Sequence, residues 1–94
     1  MDELLKAFKR RMKIFHTAED EALLAILSAS VEDLKVKCGQ FDLASHERAR
    51  ELIMERSRYV YNDKLEEFDT NFLSQIQSLQ FELYEVIEDD TTTY

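Results

Sequence analysis

The chain has no proline and one glycine, Gly39, in 94 residues. Strand-rich folds need turn glycines and prolines in quantity, and long loops usually carry them too. Their absence points to helices joined by short polar breaks. The expected fold is all-α: a small bundle of about four to five helices, with one glycine-containing loop and an extended C-terminal tail. The length suits one domain with one modest core, taken as residues 1–83 followed by a flexible acidic arm, 84–94. One cysteine, Cys38, cannot form an internal disulfide, which fits a reducing cytoplasm. No apolar run approaches the roughly 18 residues of a membrane span. Residues 1–13 lack an apolar core before a cleavage site, so no signal peptide is expected.

Periodicity and caps divide the chain. The first helix is expected over Asp2–Lys13, with Leu4, Phe8 and Met12 on one stripe, acids at its start and bases near its end. After a break at Phe15-His16-Thr17, Thr17 and Asp20 resemble a capping box. A second helix follows to about Lys37, with Leu24, Leu27, Val31, Leu34 and Cys38 inward and Gly39 as a left-handed terminator. Gly39–Ser45 form a loop whose Phe41 and Leu43 pack back. Ser45 is the expected N-cap of a third helix with Ala49, Leu52, Ile53, Arg56, Tyr59 and Val60 on its inner face. The Arg56 stem can cover apolar surface while its head reaches an acid. Asn62 could cap a short new helix, pointing Leu65 and Phe68 inward, and a second re-capping is possible near Asp69-Thr70. Phe72, Ile76, Leu79 and Leu83 continue the stripe. Residues 46–83 can be one bent helix or two or three shorter ones.

Charge is uneven along the chain. Residues 1–15 carry +3, residues 16–60 carry −3 and residues 61–94 carry −8, for a net −8. Such polarity suits head-to-tail self-association, in which one copy's basic end meets the next copy's acidic end. A heterologous contact of that kind closes into a ring when its rotation permits. The cations Lys6, Lys9, Arg10, Arg11 and Lys13 could instead meet phosphates. The overall acidity and the lack of interleaved aromatics argue against that. Beyond Phe81, β-branched residues and Glu88-Asp89-Asp90 read as a frayed tail, or as an arm that orders on a partner.

Chemistry-bearing patterns are sparse. His16, Cys38 and His46 match no zinc spacing. Glu66 and Glu67 are consecutive, so they diverge on a helix. One glycine cannot build a phosphate loop. No catalytic, metal-ligating or cofactor-binding set is assigned, no cofactor is expected, and an enzyme is not.

The stretch Glu51–Leu79 resembles the small head–tail connector (adaptor, head-completion or DNA-packaging) proteins of long-tailed bacteriophages and prophages. An RxRYxYND-like segment, here Arg56-Ser57-Arg58-Tyr59-Val60-Tyr61-Asn62-Asp63, precedes LEEF-like Leu65-Glu66-Glu67-Phe68 and NFxSxI-like Asn71-Phe72-Leu73-Ser74-Gln75-Ile76. The basic first helix, Glu19-Asp20-Glu21 and the Cys38-Gly39 closure are similar too, so the likeness covers most of residues 1–83. It implies a virion protein made in the bacterial cytoplasm. Its subunits assemble as a ring, usually of twelve, under the portal, extend the DNA channel and dock the next tail or head-closure component. DNA would pass without specific binding, and no membrane is involved. On this reading Lys6, Lys9, Arg10, Arg11, Arg56 and Arg58 are candidates for the subunit interface. Glu66, Glu67 and Asp69 would line the channel, since acidic walls repel DNA. Leu83, Tyr84, Val86, Ile87 and Tyr94 would form a portal-binding arm. The competing class is a small acidic helical regulator or inhibitor that masks a basic host protein.

Overall fold

The computed structural model describes the backbone of residues 1–91 and the side chains of residues 1–84. Five α-helices follow in order: α1 (Asp2–Met12), α2 (Asp20–Cys38), α3 (Glu47–Tyr61), α4 (Phe68–Asn71) and α5 (Leu73–Thr91). A 3₁₀ turn, Leu65–Glu67, precedes α4, and there is no strand among the described residues. The small all-α bundle expected from the missing prolines is thus the observed class. Residues 46–83, open in the sequence, contain three α-helices and that turn.

The framework is a hairpin of α2 and α3. Its loop closes with Asp42, which accepts from the Ala44 amide (3.1 Å) and from the Ser45 hydroxyl (3.0 Å). Ser45 is therefore engaged in the loop and does not cap α3. His46 does, its Nδ1 accepting from the Ala49 amide at 3.4 Å. Thr17 is no side-chain cap either: α2 starts at Asp20 after Glu19, with no side-chain cap bond, and Asp20 turns to Lys9. The inner face of α2 keeps Leu27 and Leu34 as expected but takes Leu23 and Ser30 where Leu24 and Val31 were expected. Leu23, Leu27, Ser30 and Leu34 are buried, while Leu24, Val31 and Cys38 are partly buried. The cause is Ser30, fully buried, which accepts from Ser57 (2.9 Å) and from Arg56 (3.0 Å). Two small, mutually satisfied side chains fill the seam at this point.

The other helices pack along this hairpin. α1 lays down Leu4, Leu5 and Phe8 on it, tied by Lys9 to Asp20 at the start of α2 and reaching the loop, where Met1, Glu3 and Leu4 line a pocket with Asp42, Leu43 and Ala44. Near the end of α2, α5 packs Ile76, Leu79 and Leu83 inward; Gln80 donates to the Lys37 carbonyl (3.2 Å) and Leu83 approaches Gly39. The turn before α4 brings Phe68 fully inside, edge-on to Tyr59 and stacked on Phe72. Leu65, expected inside, is 41% exposed. Asn62 does not start a new helix; it is the C-cap of α3. α5 runs through Thr91, about two turns past Leu83, so the extended tail does not begin at residue 84. The reason is that residues 82–91 hold no glycine or proline, and their β-branched residues cost a helix only tenths of a kcal/mol each. Residues 92–94, including Tyr94, lie outside the described residues.

Two helices end in a way the sequence does not announce. Lys13 (φ 60°) and Asp63 (φ 58°) are left-handed. In each case paired backbone bonds form, Ile14 to Lys9 with Lys13 to Arg10, and Lys64 to Tyr59 with Asp63 to Val60. This is the Schellman pattern, which favours glycine. Lys13→Gly should therefore stabilise the fold by about 0.5–1 kcal/mol, raising the thermal midpoint by about 4 °C in a circular-dichroism melt; a lowered midpoint would contradict it.

Candidate interaction surface

Four of the six cations expected at a subunit contact are engaged within the chain. Lys9 reaches Asp20 at 2.6 Å. Arg11 pairs with Glu51 (2.8 Å) and Glu55 (2.9 Å) on α3. Arg58 also holds Glu55 (2.7 Å), and that hydrogen bond raises its pKa further against the opposing effect of desolvation. Arg56 lies 3.2 Å from Asp33, as its amphipathic character suggested. Counting charge by segment misses this: the acids of Lys9, Arg11 and Arg56 lie on other helices, and only Arg58 pairs within its own helix. Lys6 and Arg10 remain exposed, with no ion-pair partner among the described residues. They are four residues apart, which puts them on one outward face of α1. Phe15, 85% exposed, follows, and it lines a shallow pocket with Ile14, Lys6, Lys9 and Arg10.

The three acids expected to line a channel do not form one set. Asp69 accepts from Lys37 at 2.8 Å, and Lys37 also contacts Asp33 at 2.9 Å. Burial lowers the Lys37 pKa, but these two carboxylates outweigh it and leave it raised. A raised lysine pKa contributes stability that is fully present below the usual value of 10.5 and is lost only as pH rises through the folded value. Glu67 lies 4.0 Å from Lys64. Glu66 is exposed with no ion pair among the described residues.

Of the expected arm, Leu83 packs against the core and Tyr84 is 51% exposed. The side chains of Val86 and Ile87 lie outside the described residues. Leu83 is held because it continues the inward stripe Phe72, Ile76, Leu79. A second stripe on α5 was not assigned from the sequence. Leu73 is 51% exposed and Phe81 76%, and with Gln77 and Tyr84 they recur every three or four residues along a different face. Its signal was present in the spacing, hidden behind the stronger inward set.

Among the described residues no built chemical site accompanies these surfaces. No three His, Cys, Asp or Glu side chains converge as a metal site among the described residues. Burial raises the Cys38 thiol pKa, with Lys37 opposing; its sulfur sits 3.9 Å from the Ile76 carbonyl. His16 lies 3.6 Å from Glu19, and His46 caps α3 while its Nε2 lies 3.3 Å from Glu82. No described helix is long and apolar enough to cross a membrane. Comparison with protein-family models, curated proteins and solved structures found no match.

Proposed function

We propose that this chain is a structural subunit of a virion, a head–tail connector that assembles as a ring beneath a portal and offers a docking surface to the next tail component. The observation that carries it is the exposure of large apolar side chains outside the core: Phe15, Val36, Leu73, Phe81 and Tyr84. A chain of net charge −8 has ample polar residues for its helix faces. Phe15 and Val36 stand singly, but Leu73, Phe81 and Tyr84 share one face of α5, and a continuous exposed apolar stripe marks a protein contact surface. The kind of assembly comes from the resemblance of Arg56–Asp63, Leu65–Phe68 and Asn71–Ile76 to connector proteins. Those segments form the end of α3, the turn and the start of α5, the part of the fold pinned by Phe68.

In this reading the ring's other partners are the portal protein and a downstream head-closure or tail protein. DNA passes without specific binding, with Glu66, which has no ion pair among the described residues, as the acid best placed toward it. Tailed particles purified from a host carrying the coding sequence should contain the chain, and cryo-electron microscopy should place it in a ring at the head–tail vertex. Particles that are complete and infectious without it overturn the proposal. A stable complex of one copy with a basic host protein would favour the inhibitor class instead.

A further inference from the structure

His46 serves two helices with the two nitrogens of one ring. Its Nδ1 accepts from the Ala49 amide at 3.4 Å and so caps α3, while its Nε2 lies 3.3 Å from Oε1 of Glu82 on α5. The His46 amide donates to the Asp42 carbonyl at 2.9 Å, so the loop sets where the ring stands. Oε2 of Glu82 accepts from Arg48 at 2.8 Å. One carboxylate of α5 thus meets an imidazole and a guanidinium, both supplied by the N-terminal end of α3.

The other charged groups around this junction are turned elsewhere. Asp42 of the loop accepts from the Ala44 amide and the Ser45 hydroxyl, Lys37 near the end of α2 holds Asp33 and Asp69, and Glu47, next in the chain, is exposed. Glu82 is the carboxylate within ion-pair distance of the ring among the described residues.

The two contacts of His46 ask different things of its protonation. Only a neutral imidazole with its proton on Nε2 has an acceptor at Nδ1; an imidazolium donates from both nitrogens. Neutral His46 therefore caps α3 and gives Glu82 one uncharged donor. Protonation sets a second donor against the Ala49 N–H and puts a positive charge at the start of α3, where the helix dipole disfavours it. At Nε2 the same proton makes the contact with Glu82 charge-assisted, roughly twice as strong as a neutral one. Histidine is the side chain that ordinarily changes charge between about pH 5 and 8.

We propose that His46 is a pH-dependent clasp that passes its grip from α3 to α5. Neutral, it closes the first turn of α3; protonated, it releases that turn and holds α5 through Glu82. One contact weakens as the other strengthens, so the exchange shows itself locally rather than in overall stability. Its reach includes the helix that carries exposed Leu73, Phe81 and Tyr84, so acid firms the hold on the face that α5 presents.

Amide hydrogen exchange on the full chain, corrected for the intrinsic pH dependence of exchange, reads both halves. From about pH 7.5 to about pH 5.5, protection of the Ala49 amide should fall about fivefold, the size of one lost cap, while protection of the Leu83 amide rises. His46→Asn keeps a strong capping residue that cannot gain the charge, and should abolish both changes. Glu82→Gln should abolish the rise at Leu83 and leave the fall at Ala49. His16→Asn removes the other histidine and should alter neither. Unchanged protection at Ala49, or a fall that persists in His46→Asn, overturns the clasp. Loss of protection at Leu83 together with Ala49 means that acid merely loosens this end of the fold, and overturns the transfer to α5.

Discussion

Phe68→Ala should remove about 3–5 kcal/mol of stability, much of what a domain of this size has to lose. Phe68 is fully buried, and its ring lies 5.8 Å from that of Tyr59 at 68° and 5.1 Å from that of Phe72 at 24°. Tyr59 is also edge-on to Phe72, at 5.6 Å. Truncation opens a void and removes two aromatic contacts, each worth about 0.5–1.5 kcal/mol beyond area. Those contacts fasten the turn and α4 to α3, so α4 should fray first. Urea titration followed by circular dichroism reads the loss as a lower midpoint at unchanged slope. Leu65→Ala, three residues earlier but 41% exposed, serves as control and should cost under about 1 kcal/mol. A Phe68→Ala variant no weaker than that control would show that the aromatic cluster does not anchor this region.

Gly39→Ala should cost about 1–3 kcal/mol for a different reason. Gly39 has φ 114° and ψ 176°, which is not the left-handed helical conformation expected at this helix end. It is an extended conformation of positive φ that side-chain-bearing residues essentially never adopt. Space is not the difficulty, since an added Cβ would meet Leu83 at an ordinary 3.7 Å. The cost is therefore in the backbone, and relieving it would displace the loop from Leu83 and loosen α5. Thermal melts of Gly39→Ala against Gln40→Ala, the exposed neighbour, separate the two effects; equal midpoints would mean the loop relaxes without strain.

The sequence was informative wherever a local rule governs the outcome. The stripe Leu4–Phe8, the closure of α2 at Cys38-Gly39, the inward turn of Phe41 and Leu43 and the ion pair of Arg56 with Asp33 all follow from spacing or residue type. Long-range choices were not legible. Ser30 is buried because Ser57 faces it from 27 residues away, and no apolar period can register a serine. Leu65 looked inward because periodicity extrapolates through a 3₁₀ turn that breaks the phase. Lys9 and Arg11 looked available for a partner because their acids are assigned only once α1, α2 and α3 pack; Arg58, by contrast, pairs with Glu55 three residues earlier on α3, a spacing the sequence did offer. The outward stripe of α5 shares its residues' spacing with the inward one, and only burial separates them.

The hairpin of α2 and α3 also bears on how the molecule reaches this state. Its two helices are joined by eight residues, 39–46, and face each other through Ser30 and Ser57, so its closure is a short-loop event on the microsecond scale rather than a search across the whole chain. Since the chain has no proline, no peptide bond has to isomerise over tens of seconds before the remaining helices dock. Folding of a single copy therefore contains no built-in step slower than the docking of α1, α4 and α5 onto that hairpin.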